Sequence, residues 1–402
     1  MSVFEQQWLE ALEAKKAAGL WRHHRLLTSP QGVNVCVDGR QMLAFCSNDY
    51  LGLANHKEVK QAALDAIQTA GVGSGASHLV IGHHQEHDLL ESELATFTNR
   101  DRALIFSSGY MANLAVISTL LNKSDLVLED KLNHASLIDG GLLSGARFQR
   151  YLHNDINSLS NYLQKFSKNA KSIGENKPES KTLVVTDGVF SMDGDVANLV
   201  DMVDICKQQN ALLMVDDAHG MGVLGPGGRG CVAELGLSQT DVPVLVGTFG
   251  KAFGTSGAFV AGSETFIEYL IQCARPYIYT TAMPPSIVAA TRKSLQLIQT
   301  ADQERAHLSS MIHYFREKVV SLGYQLMDSS TPIQPILIGS SESAVALSDF
   351  LAKEGVLVTA IRPPTVPDKT ARLRVTFSAA HTKDNVDQLL VALAKAKHSG
   401  VV

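Results

Sequence analysis

Residues 212–219, Leu-Leu-Met-Val-Asp-Asp-Ala-His, form a short apolar run that ends in two acids and a histidine. Two similar runs lie on either side of it in the sequence, Leu-Val-Val-Thr-Asp-Gly at 183–188 and Val-Leu-Val-Gly-Thr-Phe-Gly-Lys at 244–251. Apolar runs without alternation are typical of strands that are covered on both faces. Polar residues that follow such strands meet at the edge of an open α/β sheet where ligands bind. The three runs therefore predict an α/β fold with acid, histidine, threonine and lysine side chains at one crevice.

Three regions of the chain differ in their sequence pattern. Helical periods alternate with short apolar runs from residue 48 to residue 285, which predicts a large domain with a mostly parallel sheet. Residues 1–47 predict an amphipathic helix and two strand-like pieces, and residues 286–402 predict a small α+β domain. In this last region we expect one long helix from Ser286 to Val320 and one strand from Val356 to Ile361.

The composition is that of a globular protein with a large core. The 402 residues are 45% hydrophobic and 19% charged, and the net charge of −5 favours neither nucleic acid nor an anionic membrane as a partner. Five cysteines are scattered without a C-x-x-C pair, which favours a reducing compartment and argues against a disulfide framework or a zinc knuckle. With no signal peptide and no apolar stretch of membrane-spanning length, we expect a cytoplasmic protein. The polar, lysine-rich residues 165–181 are expected to form a solvated surface connection.

The residues at the predicted crevice match the needs of pyridoxal phosphate. This cofactor takes a lysine to form an imine, a carboxylate to keep its pyridine nitrogen protonated, and donors for its phosphate. Lys251 can supply the imine, and Asp216 can supply the carboxylate because it ends its strand while Asp217 alternates to the other side. The phosphate can bind at the start of the helix predicted to begin at Gly109, where free N–H groups and the helix dipole favour an anion.

Five motifs in order give the chain a resemblance to the α-oxoamine synthase family, over about Leu20 to His381. The resemblance implies a fold-type I pyridoxal-phosphate transferase that condenses an amino acid with an acyl-CoA and releases carbon dioxide. It also implies a homodimer with its active site at the interface. The motifs are Ser47-Asn-Asp-Tyr-Leu-Gly52, Asn133-His-Ala-Ser136, Gly188-Val-Phe-Ser-Met-Asp-Gly194, Asp216-Asp-Ala-His219 and Thr248-Phe-Gly-Lys251.

Within that family, Ala360–Pro367 followed by Thr370–Arg374 resembles the members that use L-alanine and a pimeloyl thioester. The resemblance leaves open whether the acyl group is carried by coenzyme A or by a carrier protein. It also leaves open whether Thr280 or Thr281 of a partner chain reaches the phosphate. The resemblance implies that Lys251 forms the imine and transfers the proton, that Asp216 contacts the pyridinium, and that His219 contacts the ring hydroxyl. It implies that His134 and Ala218 lie on the two ring faces, and that the phosphate or its neighbourhood is contacted by Gly109, Tyr110, Ser191, Thr248 and Thr281. For the substrates, it implies that Arg362 binds the alanine carboxylate, that Arg22 and Thr365 contact the acyl substrate, and that Asn48 and His134 position the substrate.

Two other sequence patterns match known binding motifs when they are taken alone, but their surroundings in the sequence argue against those functions. Gly220-Met-Gly-Val-Leu-Gly225 fits a dinucleotide fingerprint, but Pro226 and further glycines follow where the phosphate-binding helix would begin. His83-His-Gln-Glu-His87 fits a zinc pattern but falls at a helix start, which favours a capping or surface role. No metal is therefore expected. The alternatives to the main hypothesis are a glycine-specific acyltransferase of the same family and a nicotinamide-dependent oxidoreductase.

Overall fold

The computed structural model describes residues 2–18, 20–171 and 180–401 of the chain. Strands and helices are numbered in chain order. The strands are β1 (Asn34–Val37), β2 (Arg40–Ala44), β3 (Arg102–Phe106), β4 (Leu126–Asp130), β5 (Arg147–Tyr151), β6 (Thr182–Asp187), β7 (Leu212–Asp216), β8 (Val244–Thr248), β9 (Ala258–Gly262), β10 (Gln325–Leu326), β11 (Ile333–Gly339), β12 (Val356–Leu357), β13 (Thr359–Ile361) and β14 (Ala371–Thr376).

The helices surround these strands. A π-helical turn at His78–Gly82 and a 3-10 turn at Pro226–Gly228 interrupt the connections between them. The helices are α1 (Val3–Ala17), α2 (Lys57–Ala70), α3 (Gln85–Thr98), α4 (Gly109–Leu120), α5 (Ala135–Leu143), α6 (Ile156–Lys171), α7 (Leu199–Gln208), α8 (Gly230–Glu234), α9 (Glu264–Cys273), α10 (Arg275–Ile278), α11 (Pro285–Gln299), α12 (Asp302–Ser321), α13 (Ser341–Lys353) and α14 (Lys383–His398).

A seven-stranded sheet forms the centre of the molecule, in the order β3-β9-β8-β7-β6-β4-β5. All neighbours are parallel except β9, which is antiparallel to both β3 and β8. The mostly parallel sheet predicted from the sequence is confirmed. The three runs that predicted it are β6, β7 and β8, which are adjacent, so their carboxyl ends lie side by side.

Both faces of this sheet are buried, as unbroken apolar strands require. In β8, Val244 and Val246 pack into one hydrophobic core, whereas Leu245 packs into the other. The core that contains Val244 and Val246 also contains apolar residues of α4 and α9, including Val116 and Leu270. Burial on both faces fixes the register of these strands, and it thereby fixes which residues emerge at their carboxyl ends.

Two smaller sheets lie outside the central one, and the predicted strand Val356–Ile361 is divided between them. β12 pairs in parallel with β2 in the sheet β1-β2-β12, whereas β13 pairs with β14 in the antiparallel sheet β10-β11-β14-β13. The expectation of one strand was wrong because the chain changes sheets at Val358, which is fully buried and whose carbonyl accepts a hydrogen bond from Ser348 Oγ.

The single helix predicted from Ser286 to Val320 was also wrong. The chain forms α11 and α12, with a break at Thr300 and Ala301. Arg305 explains how the break is stabilised, since its Nη1 donates to the carbonyl of Ile298 in the last turn of α11 at 2.8 Å. Carbonyls at a helix end need such donors because they have no partner within the helix.

The surface connection predicted at residues 165–181 begins inside a helix. α6 continues to Lys171, and residues 172–179 lie outside the described residues. The domain boundaries after residues 47 and 285 remain predictions. Among the described helices, none combines the length and apolar composition that a bilayer crossing requires.

Candidate active site

A cavity of about 310 Å³ opens at the carboxyl ends of β6, β7 and β8. This is the edge at which the sequence predicted a ligand crevice. The cavity brings together ten of the residues predicted for the site, from six separate parts of the chain. They are Asn48, Gly109, Tyr110, His134, Ser191, Asp216, Ala218, His219, Thr248 and Lys251.

Lys251 reaches the cavity from the turn that follows β8. Its Nζ donates to the hydroxyl of Thr248, which ends the strand, at 3.2 Å. Burial lowers the pKa of Lys251 from its ordinary value, and Arg374 lowers it further, while Asp216 and Asp187 oppose this shift. A lowered pKa increases the share of neutral amine, which is the nucleophilic form.

Asp216 is held in place at the end of β7 by two donors. Its Oδ2 accepts from Asn113 Nδ2 at 2.6 Å, and its Oδ1 accepts from the backbone N–H of Ala218 at 3.1 Å. The next residue, Asp217, does not line the cavity, and its carboxylate accepts from the backbone N–H of Cys231 at 2.7 Å. The side of the strand predicted for each of the two acids therefore agrees with the structure.

A chain of hydrogen bonds connects Asp216 to His134. Asn113 Nδ2 also donates to the Ser136 hydroxyl oxygen at 2.9 Å, and that hydroxyl lies 2.8 Å from His134 Nδ1. The backbone N–H of Ser136 also donates to Nδ1, at 3.3 Å, so this nitrogen is an acceptor and the serine hydroxyl donates to it. Burial lowers the pKa of His134, in spite of the opposing charge of Asp216. The ring is therefore neutral, with its proton on Nε2.

The start of α4 forms another part of the cavity wall, beside the end of β8. Ser108 caps the helix by accepting from the Met111 N–H at 3.2 Å, so the N–H groups of Gly109 and Tyr110 precede the first helical hydrogen bonds. A Cβ at Gly109 would lie 2.6 Å from Thr248 Cγ2, so only glycine permits this close approach. A helix N-terminus, a lysine and an acid that line one cavity fit the phosphate, the imine and the ring nitrogen of pyridoxal phosphate.

Arg22 and Arg362 line a second cavity of about 830 Å³. It adjoins the first, since Ser47 lines this cavity and Asn48 lines the other. Other predicted substrate and phosphate contacts lie in neither cavity of this chain. Thr365 is exposed in a turn after Arg362, and Thr281 is exposed beside its β-bridge with Ser77.

Arg374 is a site residue that the sequence reasoning missed. It is 8% exposed, and its Nε donates to the carbonyl of Ser191 at 2.6 Å while its Nη1 donates to Asn48 Oδ1 at 3.2 Å. Its signal was present in the sequence, because Arg372 and Arg374 both interrupt a strand that is otherwise apolar. Four further residues were missed: Tyr50, Asn113, Ser136 and Asp187.

The fold and this set of side chains define a pyridoxal-phosphate-dependent transferase of fold type I. Residues 40–393 match the family model of class I and II aminotransferases. The chain is 59% identical to the 8-amino-7-oxononanoate synthase of Pseudomonas savastanoi pv. phaseolicola, over 95% of this chain and 93% of that protein. It is 56% identical to the enzyme of the same name from Cellvibrio japonicus, over 100% and 98%. The chain belongs to the 8-amino-7-oxononanoate synthase family.

Solved structures give the same assignment of fold. A serine palmitoyltransferase from Sphingomonas wittichii superposes with a TM-score of 0.91 at 31% identity, covering 100% of both chains. An 8-amino-7-oxononanoate synthase from Francisella tularensis superposes with a TM-score of 0.76 at 34% identity, covering 90% of this chain and 99% of that one. The fold-type I architecture predicted from the sequence is confirmed.

Proposed function

We propose that the protein condenses L-alanine with a pimeloyl thioester and releases carbon dioxide, coenzyme A or carrier protein, and 8-amino-7-oxononanoate, as a step of biotin biosynthesis. The observation that carries this proposal is the convergence of Lys251, Asp216, His134 and His219 in one cavity. The family membership, at 55–59% identity over nearly the whole chain, supports the particular product.

Lys251 has the central role in the proposed chemistry. It carries the cofactor and then takes the proton from alanine Cα, for which its lowered pKa suits it. Bound pyridoxal phosphate supplies an electron-accepting ring that stabilises negative charge at Cα. Asp216 holds a proton on the ring nitrogen, because a buried carboxylate favours the cationic form of a neighbouring base.

Histidines and small residues orient the groups that react. His134 covers one face of the cofactor ring, and its Nε2–H is available to polarise the thioester carbonyl. Ala218 packs against the other face, and His219 contacts the ring hydroxyl. The free N–H groups at Gly109 and Tyr110, with Ser191 and Thr248 nearby, bind the phosphate, as expected for an anion at a helix N-terminus.

Two arginines of the second cavity suit the anionic ends of the substrates. Arg362 is proposed to bind the alanine carboxylate, and Arg22 with Thr365 is proposed to contact the acyl substrate. The proximity of Arg22 and Arg362 in one cavity supports this pairing of roles. Asn48, which lines the cavity of Lys251 and accepts a hydrogen bond from Arg374, is proposed to position alanine between the two cavities.

A homodimer with a shared active site is a further part of the proposal. Val80, Ile81 and Tyr279 are 71%, 84% and 71% exposed. Tyr279 directly precedes Thr280, and Val80 and Ile81 follow Ser77, which forms a β-bridge with Thr281. Large apolar side chains exposed together are typical of an interaction surface. We therefore propose that Thr281 reaches the phosphate site of the partner subunit. The five free cysteines support a reducing, cytoplasmic location.

A substrate panel tests the proposed function. The purified holoenzyme is offered alanine, glycine or serine with pimeloyl-, acetyl- or succinyl-CoA, and release of coenzyme A and carbon dioxide is measured. We expect turnover with alanine and pimeloyl-CoA, and none in Lys251→Ala. Preference for glycine with acetyl-CoA would instead favour the glycine-specific acyltransferase, and reduction of a nicotinamide cofactor would favour the oxidoreductase.

A further inference from the structure

The hydroxyl of Tyr50 lies 2.6 Å from Nδ1 of His219, inside the wall of the active-site cavity. Tyr50 is fully buried and His219 is 7% exposed. Tyr50 follows β2, whereas His219 follows β7, so the contact joins two separate parts of the fold. A neutral imidazole has one ring proton, and the direction of this hydrogen bond decides which nitrogen carries it.

The acceptors available to the Tyr50 hydroxyl decide the direction. Arg374 lies close enough for its charge to lower the pKa of Tyr50, and a guanidinium can donate hydrogen bonds but cannot accept them. Burial raises the pKa of Tyr50 to about 12, although Arg374 opposes the shift, so the hydroxyl keeps its proton at neutral pH. His219 Nδ1 is its hydrogen-bond partner within the described residues. The tyrosine proton is therefore directed at Nδ1, which must be unprotonated to accept it.

The surroundings of His219 also limit the ring to one proton. Burial lowers the pKa of His219 well below its ordinary value, and the charges of Lys251, Arg374 and His134 lower it further. With Nδ1 accepting from Tyr50, the single proton lies on Nε2. This nitrogen is on the opposite side of the ring from Tyr50, and His219 lines the cavity that contains Lys251.

We propose that Tyr50 is a positioning residue that fixes His219 in the Nε2–H tautomer, so that the ring donates a hydrogen bond to the anionic phenolic oxygen of bound pyridoxal phosphate. The inference rests on the proposed function for the presence of the cofactor alone, and it does not depend on which amino acid or thioester the enzyme uses. Tyr50 orients the donor without contacting the cofactor.

Nuclear magnetic resonance of the wild-type holoenzyme tests the tautomer directly. The protein is labelled with 15N-histidine, and the His219 signals are assigned by their loss in His219→Asn. We expect a protonated Nε2 and an unprotonated, hydrogen-bonded Nδ1. A proton on Nδ1, or on both nitrogens at neutral pH, overturns the proposal, and this readout does not require Tyr50→Phe to fold.

Tyr50→Phe tests the consequence for the bound cofactor. Loss of an oriented donor at the phenolic oxygen destabilises the anion, so the pH midpoint of the visible absorption change of the holoenzyme should rise by roughly 0.5–1 pH unit, the size expected for one hydrogen bond. Tyr151→Phe is the matched control, because the Tyr151 hydroxyl is also buried but has no hydrogen-bond partner within the described residues. An unchanged or lowered midpoint in Tyr50→Phe, or an equal rise in Tyr151→Phe, contradicts the proposal. These measurements use no substrate, so their failure is distinct from failure of the substrate panel.

Discussion

Replacing His153 with glutamine removes a charged contact that holds one wall of the active site. Nδ1 of His153 lies 2.9 Å from Asp130 Oδ1, and its Nε2 lies 3.0 Å from Asp195 Oδ2. A carboxylate accepts hydrogen bonds, so both ring nitrogens donate and the ring carries two protons. Asp195 belongs to the loop of Ser191, which lines the cavity. The imidazolium therefore ties this loop to the end of β4.

The expected loss of stability follows from the pKa of His153. Burial alone would lower this pKa, but hydrogen bonds to Asp130 and Asp195 and their charges raise it from 6.5 to about 10. At about 1.36 kcal/mol per pH unit, this difference sets an upper limit of roughly 5 kcal/mol. The side chain is 26% exposed. Screening by solvent therefore leaves about 1.5–3 kcal/mol, the range of hydrogen bonds to charged groups.

The sign of the pH dependence is fixed by the direction of the shift. A group whose pKa is raised by folding contributes fully below its unfolded pKa of 6.5 and loses its contribution as pH rises toward about 10. Urea unfolding of wild type and His153→Gln is measured at about pH 6 and about pH 10. The difference in free energy of unfolding between the two proteins should be smaller at the higher pH. The exposed His313→Gln serves as the control. If the difference in free energy of unfolding is the same at both pH values, His153 is not stabilised as an imidazolium by Asp130 and Asp195.

Three further predictions test the active site. Asp216→Asn should slow exchange of the alanine Cα proton by roughly 10- to 100-fold, since a charge-assisted contact contributes about 1.5–3 kcal/mol; exchange at the wild-type rate would show that another group holds the ring nitrogen. Gly109→Ala should destabilise the protein by about 1–3 kcal/mol, because the added Cβ clashes with Thr248 Cγ2. Adding Thr248→Ser to the same chain removes Cγ2 and should restore thermal stability. If stability is not restored, the clash is not the cause of the destabilisation. Arg362→Lys should weaken alanine binding and leave the cofactor spectrum unchanged, whereas Arg374→Lys should alter both, because lysine cannot replace two directed donors. Equal alanine dissociation constants for wild type and Arg362→Lys would place the carboxylate elsewhere.

The sequence predicted the parts of the site that follow directly from buried strands. The apolar run before Asp216 fixed the register of β7, so the side on which Asp216 and Asp217 lie could be predicted. Arg374 could not be placed in the same way, because its position depends on how the small sheet packs against the loop of Ser191. The motif that contains Arg374 carries the family resemblance, but a resemblance does not show that Arg372 and Arg374 are both buried in one strand.

Two elements were predicted wrongly for a related reason. The hydropathy of residues 356–361 is continuous, so nothing local marks the point at which the chain leaves one sheet for another. Likewise, the helical period of residues 286–320 continues through Thr300, and the break depends on Arg305, whose Nη1 also lies 3.4 Å from the carbonyl of Gly222. In the first case β12 pairs with β2, which lies far away in the sequence, and in the second the donor lies in the next helix, so local hydropathy reveals neither break.

The sheet β1-β2-β12 cannot be completed until most of the chain has been synthesised, because β12 lies near the C-terminal end of the sequence. β1 can pair with β2 at once, but Val356 and Leu357 pair with Leu43 and Ala44 from the far end of the chain. The carbonyl of Ala44 also forms a hydrogen bond with His381 Nε2, which is 337 residues away in the sequence. At about 5–20 residues per second, the ribosome needs roughly 20–70 s to supply that partner. During this interval the unpaired edge of β2 is a site for chaperones, or for pairing with another nascent chain.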